Sequence, residues 1–201
     1  MTTPLPADAH VDAPVDARVD APVDARVDAH AVAPVDAPVD APVDAPVDVA
    51  PTDLVISRLL QAPRAALWRA WTDPTSLPVW WCPRPWTTEL RAFDLRPGGA
   101  FHTVMWGPDG ASSDNPGSFL QVVPQSRLVF TSLLLADWRP ATPWLPFTAV
   151  ITMADEGAGT RYTATVMHPD AATRDRHAEM GFYEGWNTCI DQLAQFASQA
   201  G

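Results

Sequence analysis

The sequence predicts an α+β fold in which a curved antiparallel sheet of about seven strands grips one long C-terminal helix. Three observations carry this. Strand-type alternation runs from Leu54 to His168, interrupted only near its start by two short helical stretches. Turn chemistry separates the strands at Pro97-Gly98-Gly99, at Gly107 to Gly110, at Pro124-Gln125 and at Asp155 to Gly159. The segment from Pro169 to Gln199 repeats apolar residues at helical spacing, so it has one stripe to bury, and a curved sheet has one concave face to offer.

Each element has its own signal. "LVISRLLQ", from Leu54, is rich in branched apolar residues and reads as the first strand. "APRAALWRAWTDP" switches to helical spacing, with Pro63 at its first position, Leu67, Ala70 and Trp71 on one face, and Asp73-Pro74 as the stop. "PTSLPVWW" gives a second short helix. Thr87 to Trp106 holds two strands, "GSFLQVVPQSRLVFTSLLL" two more, and "FTAVITMADEGAGTRYTATVMH" a further hairpin. In the last segment Phe182, Trp186, Cys189, Ile190, Leu193 and Phe196 form the stripe of a single long helix. Gly181 and Gly185, one turn apart, would let another backbone approach it.

Residues 1–52 stand apart from this pattern. They contain no Trp, Tyr, Phe or Ile, and from about Ala9 to Asp48 they repeat the tetrapeptide Ala-Pro-Val-Asp, with Arg18, Arg26, His10 and His30 in some of the Pro slots. Frequent Pro removes helix hydrogen bonds, and an Asp in nearly every unit adds charge without enough apolar area to offset chain entropy. A disordered, partly polyproline-like tail is expected, acting as a solvating linker or, alternatively, as an arm that docks a partner. The folded domain then spans residues 53–201. Ten Asp against Arg18 and Arg26 give the tail eight of the chain's eleven net negative charges.

That charge distribution excludes some functions. Neither part has the basic face that nucleic acid requires, so no nucleic-acid binding is expected. No run is long enough to span a membrane, no signal-peptide pattern opens the chain, and a cytoplasmic protein is the expectation. Cys82 and Cys189 are far apart in sequence and sit in no metal-type spacing, so both read as reduced, buried thiols. No metal site and no cofactor is expected: His102, His168 and His177 match no ligand motif, and the glycines look like hairpin turns rather than phosphate cradles.

From about Leu54 to Phe196 the chain resembles the START-like, or SRPBCC, superfamily. Within it, the resemblance is to the bacterial proteins named after the C-terminal domain of the activator of Hsp90 ATPase. "APRAALWRAWTDPTSLPVWW", "DLRPGGAFHTVMWGPDG", "FLQVVPQSRLVFT" and "MGFYEGWNTCIDQLAQF" carry it, in matching order and spacing. The resemblance implies a helix-grip fold, with a seven-stranded sheet curled around the C-terminal helix over an apolar cavity. It implies no single function, because such folds serve lipid carriers, hormone receptors, polyketide cyclases and chaperone cofactors.

If the cavity is the functional site, its wall should include the concave-facing residues. Phe101, Thr103 and Met105 alternate inward on one strand, Phe130 lies on another, and Tyr162 and His168 belong to the inward set of the last strand, with His168 near the cavity's mouth. Of Trp80 and Trp81, one should seal the core beneath the short helix while the other lines the cavity's entrance or the protein surface. Met180, Tyr183 and Trp186 on the long helix are either packed on the sheet or turned to the cavity. His168 is the best candidate general acid or base. The expected function is binding of a small apolar or aromatic molecule. The alternatives are an acid/base enzyme of the polyketide cyclase or dehydratase type, and a protein-interaction module acting on a chaperone ATPase. Oligomeric state is open.

Overall fold

The computed structural model describes residues 49–199, so the expected disordered repeat lies, up to residue 48, outside the described residues. Strand β1 (Asp53–Leu60) starts where the Asp53 carboxylate accepts the Ala50 amide, 2.8 Å away, and turns Leu54, Ile56 and Leu60 inward. Helix α1 (Arg64–Thr72) buries Ala66, Leu67, Ala70 and Trp71 on one face. It stops at Asp73, whose carboxylate accepts from the amide and hydroxyl of Thr75 and from the hydroxyl of Ser76. Those bonds fold the chain directly into α2 (Leu77–Trp80).

Strands β2 (Thr87–Phe93) and β3 (Phe101–Trp106) form the expected hairpin, with a bulge between Leu90 and Ala92. A third strand, β4 (Ser112–Asn115), pairs with β3. Its sequence, Ser-Ser-Asp-Asn, has no apolar alternation to announce it; it pairs because the Gly107 amide bonds to the Ala111 carbonyl at 2.7 Å and returns the chain along β3's free edge. Strands β5 (Ser118–Val123) and β6 (Arg127–Thr131) form the next hairpin. Two short pieces, β7 (Leu134–Leu135) and β8 (Arg139–Pro140), pair across a 3-10 turn, and β9 (Thr148–Glu156) and β10 (Gly159–Met167) make the last hairpin.

The architecture is α+β, with a five-stranded antiparallel sheet in the order β1-β10-β9-β6-β5 and a three-stranded one in the order β2-β3-β4. An antiparallel bridge between Ala100 and Ser118 joins the two. The described residues thus hold ten strands rather than about seven. The seven expected are all present, and the additions are β4 and the β7–β8 ribbon.

The single long helix of the sequence reading is two. Asp170 caps α3 (Ala171–Glu179), its carboxylate accepting the Thr173 amide at 2.7 Å, and α4 (Phe182–Gln199) begins after a break. Gly181 makes the break, at φ +88°, where an L side chain is strained. Gly185 serves no backbone approach either: a Cβ there would meet only the Pro83 ring, at 3.8 Å.

The core lies between the sheet and α4. Leu193, Ile190, Ala197 and Phe182 of α4 share one core cluster with Leu54, Ile56, Tyr162, Ala164 and Val166 from β1 and β10 and with Leu67, Ala70 and Trp71 of α1. Arg58, on the inner face of β1, crosses to α4 and binds Asp191 at 2.7 Å. At one end four aromatic rings interlock: Trp71 meets Trp80 at 4.8 Å and Trp81 at 4.9 Å, and Trp81 meets Phe130 at 6.2 Å. Tilted and edge-on contacts of this kind add to the burial of each ring.

Candidate functional site

The space between β3, β6 and α4 is not filled. A cavity of about 450 Å³ remains, walled by Phe101, Thr103 and Met105 of β3, Phe130 of β6, Trp81, and Gly185, Trp186 and Cys189 of α4. The wall continues through β4 residues Ser113 to Asn115, residues Thr142 to Leu145 and Phe147 of the loop before β9, and His177 of α3. The loop is held by polar bonds: the Ser132 hydroxyl donates to the Leu145 carbonyl at 2.9 Å, the Thr131 hydroxyl to the Phe147 carbonyl at 2.9 Å, and the Arg176 guanidinium to the Trp144 carbonyl at 2.8 Å.

The wall beside Trp81 is braced from α4. Gln192 donates to the carbonyls of Trp80 and Cys82, at 2.8 and 2.7 Å, and accepts the Arg84 amide at 3.1 Å. Those three bonds hold Cys82 at φ +130°, a sparsely populated conformation, with the residue on the cavity wall. Cys82 and Cys189 are both buried and unpaired on that wall. Burial pushes the Cys82 thiol up to about 11 and the Cys189 thiol to about 12, so neither is a thiolate at neutral pH.

Two histidines pair beside the cavity. His168 Nδ1 lies 3.0 Å from the Thr52 carbonyl and its Nε2 lies 2.9 Å from His177 Nδ1. His177 packs between Phe147 and Phe182, at 5.8 and 5.0 Å, and lines the cavity. Its pKa falls to about 4, first because burial penalises the charged ring and then because His168 and Arg176 lie nearby.

The family model described as "Activator of Hsp90 ATPase homolog 1-like protein" matches residues 61–198. The chain belongs to this family. Among solved structures it is similar to a protein from Nitrosomonas europaea, 44% identical, covering 76% of this chain and 97% of that one with a TM-score of 0.71. A protein from Mycobacterium smegmatis is 28% identical over 72% of this chain and 89% of its own, with a TM-score of 0.62. The "AHSA1-like protein" from Aeromonas hydrophila, 24% identical over 74% of this chain and 94% of its own, shares the fold at a TM-score of 0.57. Among curated proteins no match was found.

Within this activator-like fold, the sequence-derived site divides in two. Trp81, Phe101, Thr103, Met105, Phe130 and Trp186 share the cavity wall. The other five do not reach it. Trp80 is sealed in the core, its indole N–H donating to the Ala70 carbonyl at 3.0 Å, so Trp81 is the member of the pair that lines the cavity. Tyr162 is wholly buried deeper in the core, where desolvation drives its phenol above the ordinary range. Met180 and Tyr183 are 54% and 49% exposed, because the break at Gly181 rotates that turn outward. His168 is not at the mouth; it stands behind His177, which the sequence reading set aside.

His177 had a weak signal. An Asp170 cap starts a helix on which position 177 falls two turns in, close to where β10 ends. The loop "ATPWLPF" was a stronger one, since Trp144, Leu145 and Phe147 are too apolar for a simple solvated connection. Among the described residues no cluster of His, Cys, Asp or Glu could hold a metal ion, and no helix is long and apolar enough to cross a membrane.

Proposed function

We propose that the chain binds a small apolar or aromatic molecule in the space between its sheet and α4. One observation carries this: a cavity of about 450 Å³ walled by Trp81, Trp186, Phe101, Phe130 and Met105, within the range of about 300–1,000 Å³ usual for small-molecule sites. Protein interiors are otherwise close-packed, so an apolar recess of this size leaves ring surface that a guest would remove from water. A few polar atoms among these rings would orient the guest. A cytoplasmic setting agrees with two unpaired thiols at the site.

Binding is favoured over acid/base turnover. The ring that faces the cavity, His177, has a pKa near 4, which makes it a hydrogen-bond acceptor but a weak base at neutral pH. Native mass spectrometry of the purified protein, with Trp81 and Trp186 fluorescence on titration with a panel of aromatic compounds, tests the proposal. A co-purified adduct or saturable quenching is expected. Absence of both across the panel would remove the cavity as a ligand site.

A further inference from the structure

We infer that His177 Nε2 is a fixed, unprotonated acceptor and that the cavity therefore selects an aromatic or apolar ligand bearing one hydroxyl or N–H donor. This rests on the cavity being a ligand site and adds which chemistry that site prefers.

Thr52 sets the first proton. A carbonyl only accepts, so the 3.0 Å contact places a proton on His168 Nδ1. Both rings are more than nine-tenths buried, and among the described residues no carboxylate bonds either of them, so no countercharge favours an extra proton on the pair. A neutral His168 with its proton on Nδ1 has a bare Nε2, which must accept. The 2.9 Å contact then places the His177 proton on Nδ1. That leaves His177 Nε2 without a proton and, among the described residues, without a partner.

The nitrogen is not sealed in protein either: it is not among the buried polar atoms that lack a bond, and its ring lines the cavity. An acceptor that no protein donor satisfies is completed by water or by a guest that supplies a proton, and a guest that displaces the water without a donor loses that bond. The rest of the lining is apolar apart from a few hydroxyls and the Asn115 amide, the Thr131 and Ser132 hydroxyls already donate to loop carbonyls, and the one carboxylate, Asp114, is engaged with His102 at 2.6 Å. An anionic or acceptor-only ligand would meet the lone pair of His177 unfavourably. A phenol, enol, indole or amide N–H would meet it with a hydrogen bond. His168 is thus a positioning residue: it fixes the tautomer without touching the ligand.

Two matched probes test this. 2-Naphthol carries a donor, and 2-methoxynaphthalene has the same ring system without one. Titration of the full chain by isothermal calorimetry should give a preference for 2-naphthol of about tenfold, the usual contribution of one neutral hydrogen bond. His177→Phe, which keeps the ring packing on Phe147 and Phe182, should bring the two probes to within about twofold. As a check independent of any variant, nitrogen NMR of the wild-type imidazoles should show both rings neutral with the His177 proton on Nδ1. Equal binding of both probes by the wild type, or a proton on His177 Nε2, overturns the inference while the cavity reading stands. If neither probe binds while other members of the aromatic panel do, the inference falls and the cavity reading stands; if nothing in the panel binds, both fall.

Discussion

Burial of one imidazole makes stability depend on pH. The ordinary histidine value is 6.5, and in the folded chain His177 sits near 4. Above pH 6.5 both folded and unfolded chains hold this ring neutral. As pH falls from 6.5 toward 4 the unfolded chain takes up a proton that the folded chain refuses, so its contribution to stability is lost across that window. The full effect is of order 3 kcal/mol. Urea denaturation at pH 7 and pH 4.5 should show a loss in the wild type that is clearly smaller in His177→Phe; equal losses would sink the assignment. At this same scale Trp81 and Trp80 illustrate what adjacency in sequence conceals. Trp80 ends α2 and Trp81 lies just beyond it in extended backbone, so the two point different ways: the Ala70 carbonyl claims the Trp80 indole while Trp81 is left to meet Trp186 at 5.5 Å.

The two glycines around the start of α4 make a prediction about elements. Gly181 has open space where a Cβ would go but a φ of +88°, so Gly181→Ala should cost about 1–2 kcal/mol from backbone strain alone. Gly185 has ordinary helical backbone, bonds its amide to the Gly181 carbonyl, and opens onto the cavity. Nothing local requires glycine there, and Gly185→Ala should raise stability by about 0.5–1 kcal/mol through helix propensity. Thermal melts of the two variants should therefore move in opposite directions. A fall with Gly185→Ala would mean that the residue is held for a backbone reason after all. The α3–α4 break and β4 share one lesson: the apolar stripe from Phe182 to Phe196 was visible as a period, yet the Gly181 stop and the polar β4 strand carry no period at all. Hydrophobic spacing reports burial, and these two features are made by a φ value and by an unpaired strand edge.

For the molecule as a whole, an unfilled cavity links ligand to stability. Any molecule that binds the folded state alone stabilises it, by about 2.7 kcal/mol at a hundred times its Kd. For a folded region of this size that corresponds to a rise in Tm of roughly 5–10 °C. A saturating aromatic ligand that leaves the melting temperature unchanged would place its binding outside the cavity. The sequence by itself determined the class of fold, the seven principal strands, the inward set on β3 and the family, because each is written in local alternation, turn residues and spacing. It also placed six residues on what became the cavity wall. Only the tertiary structure decided that these residues wall one recess, that Cys82 and Cys189 both line it, and that His177 rather than His168 faces it. Those outcomes depend on how residues over a hundred positions apart, such as Thr52 and His168 or Trp80 and Gln192, close on one another. No local pattern encodes such a meeting, since it is the packing of α3 and α4 against the sheet that selects which side of each ring is left open.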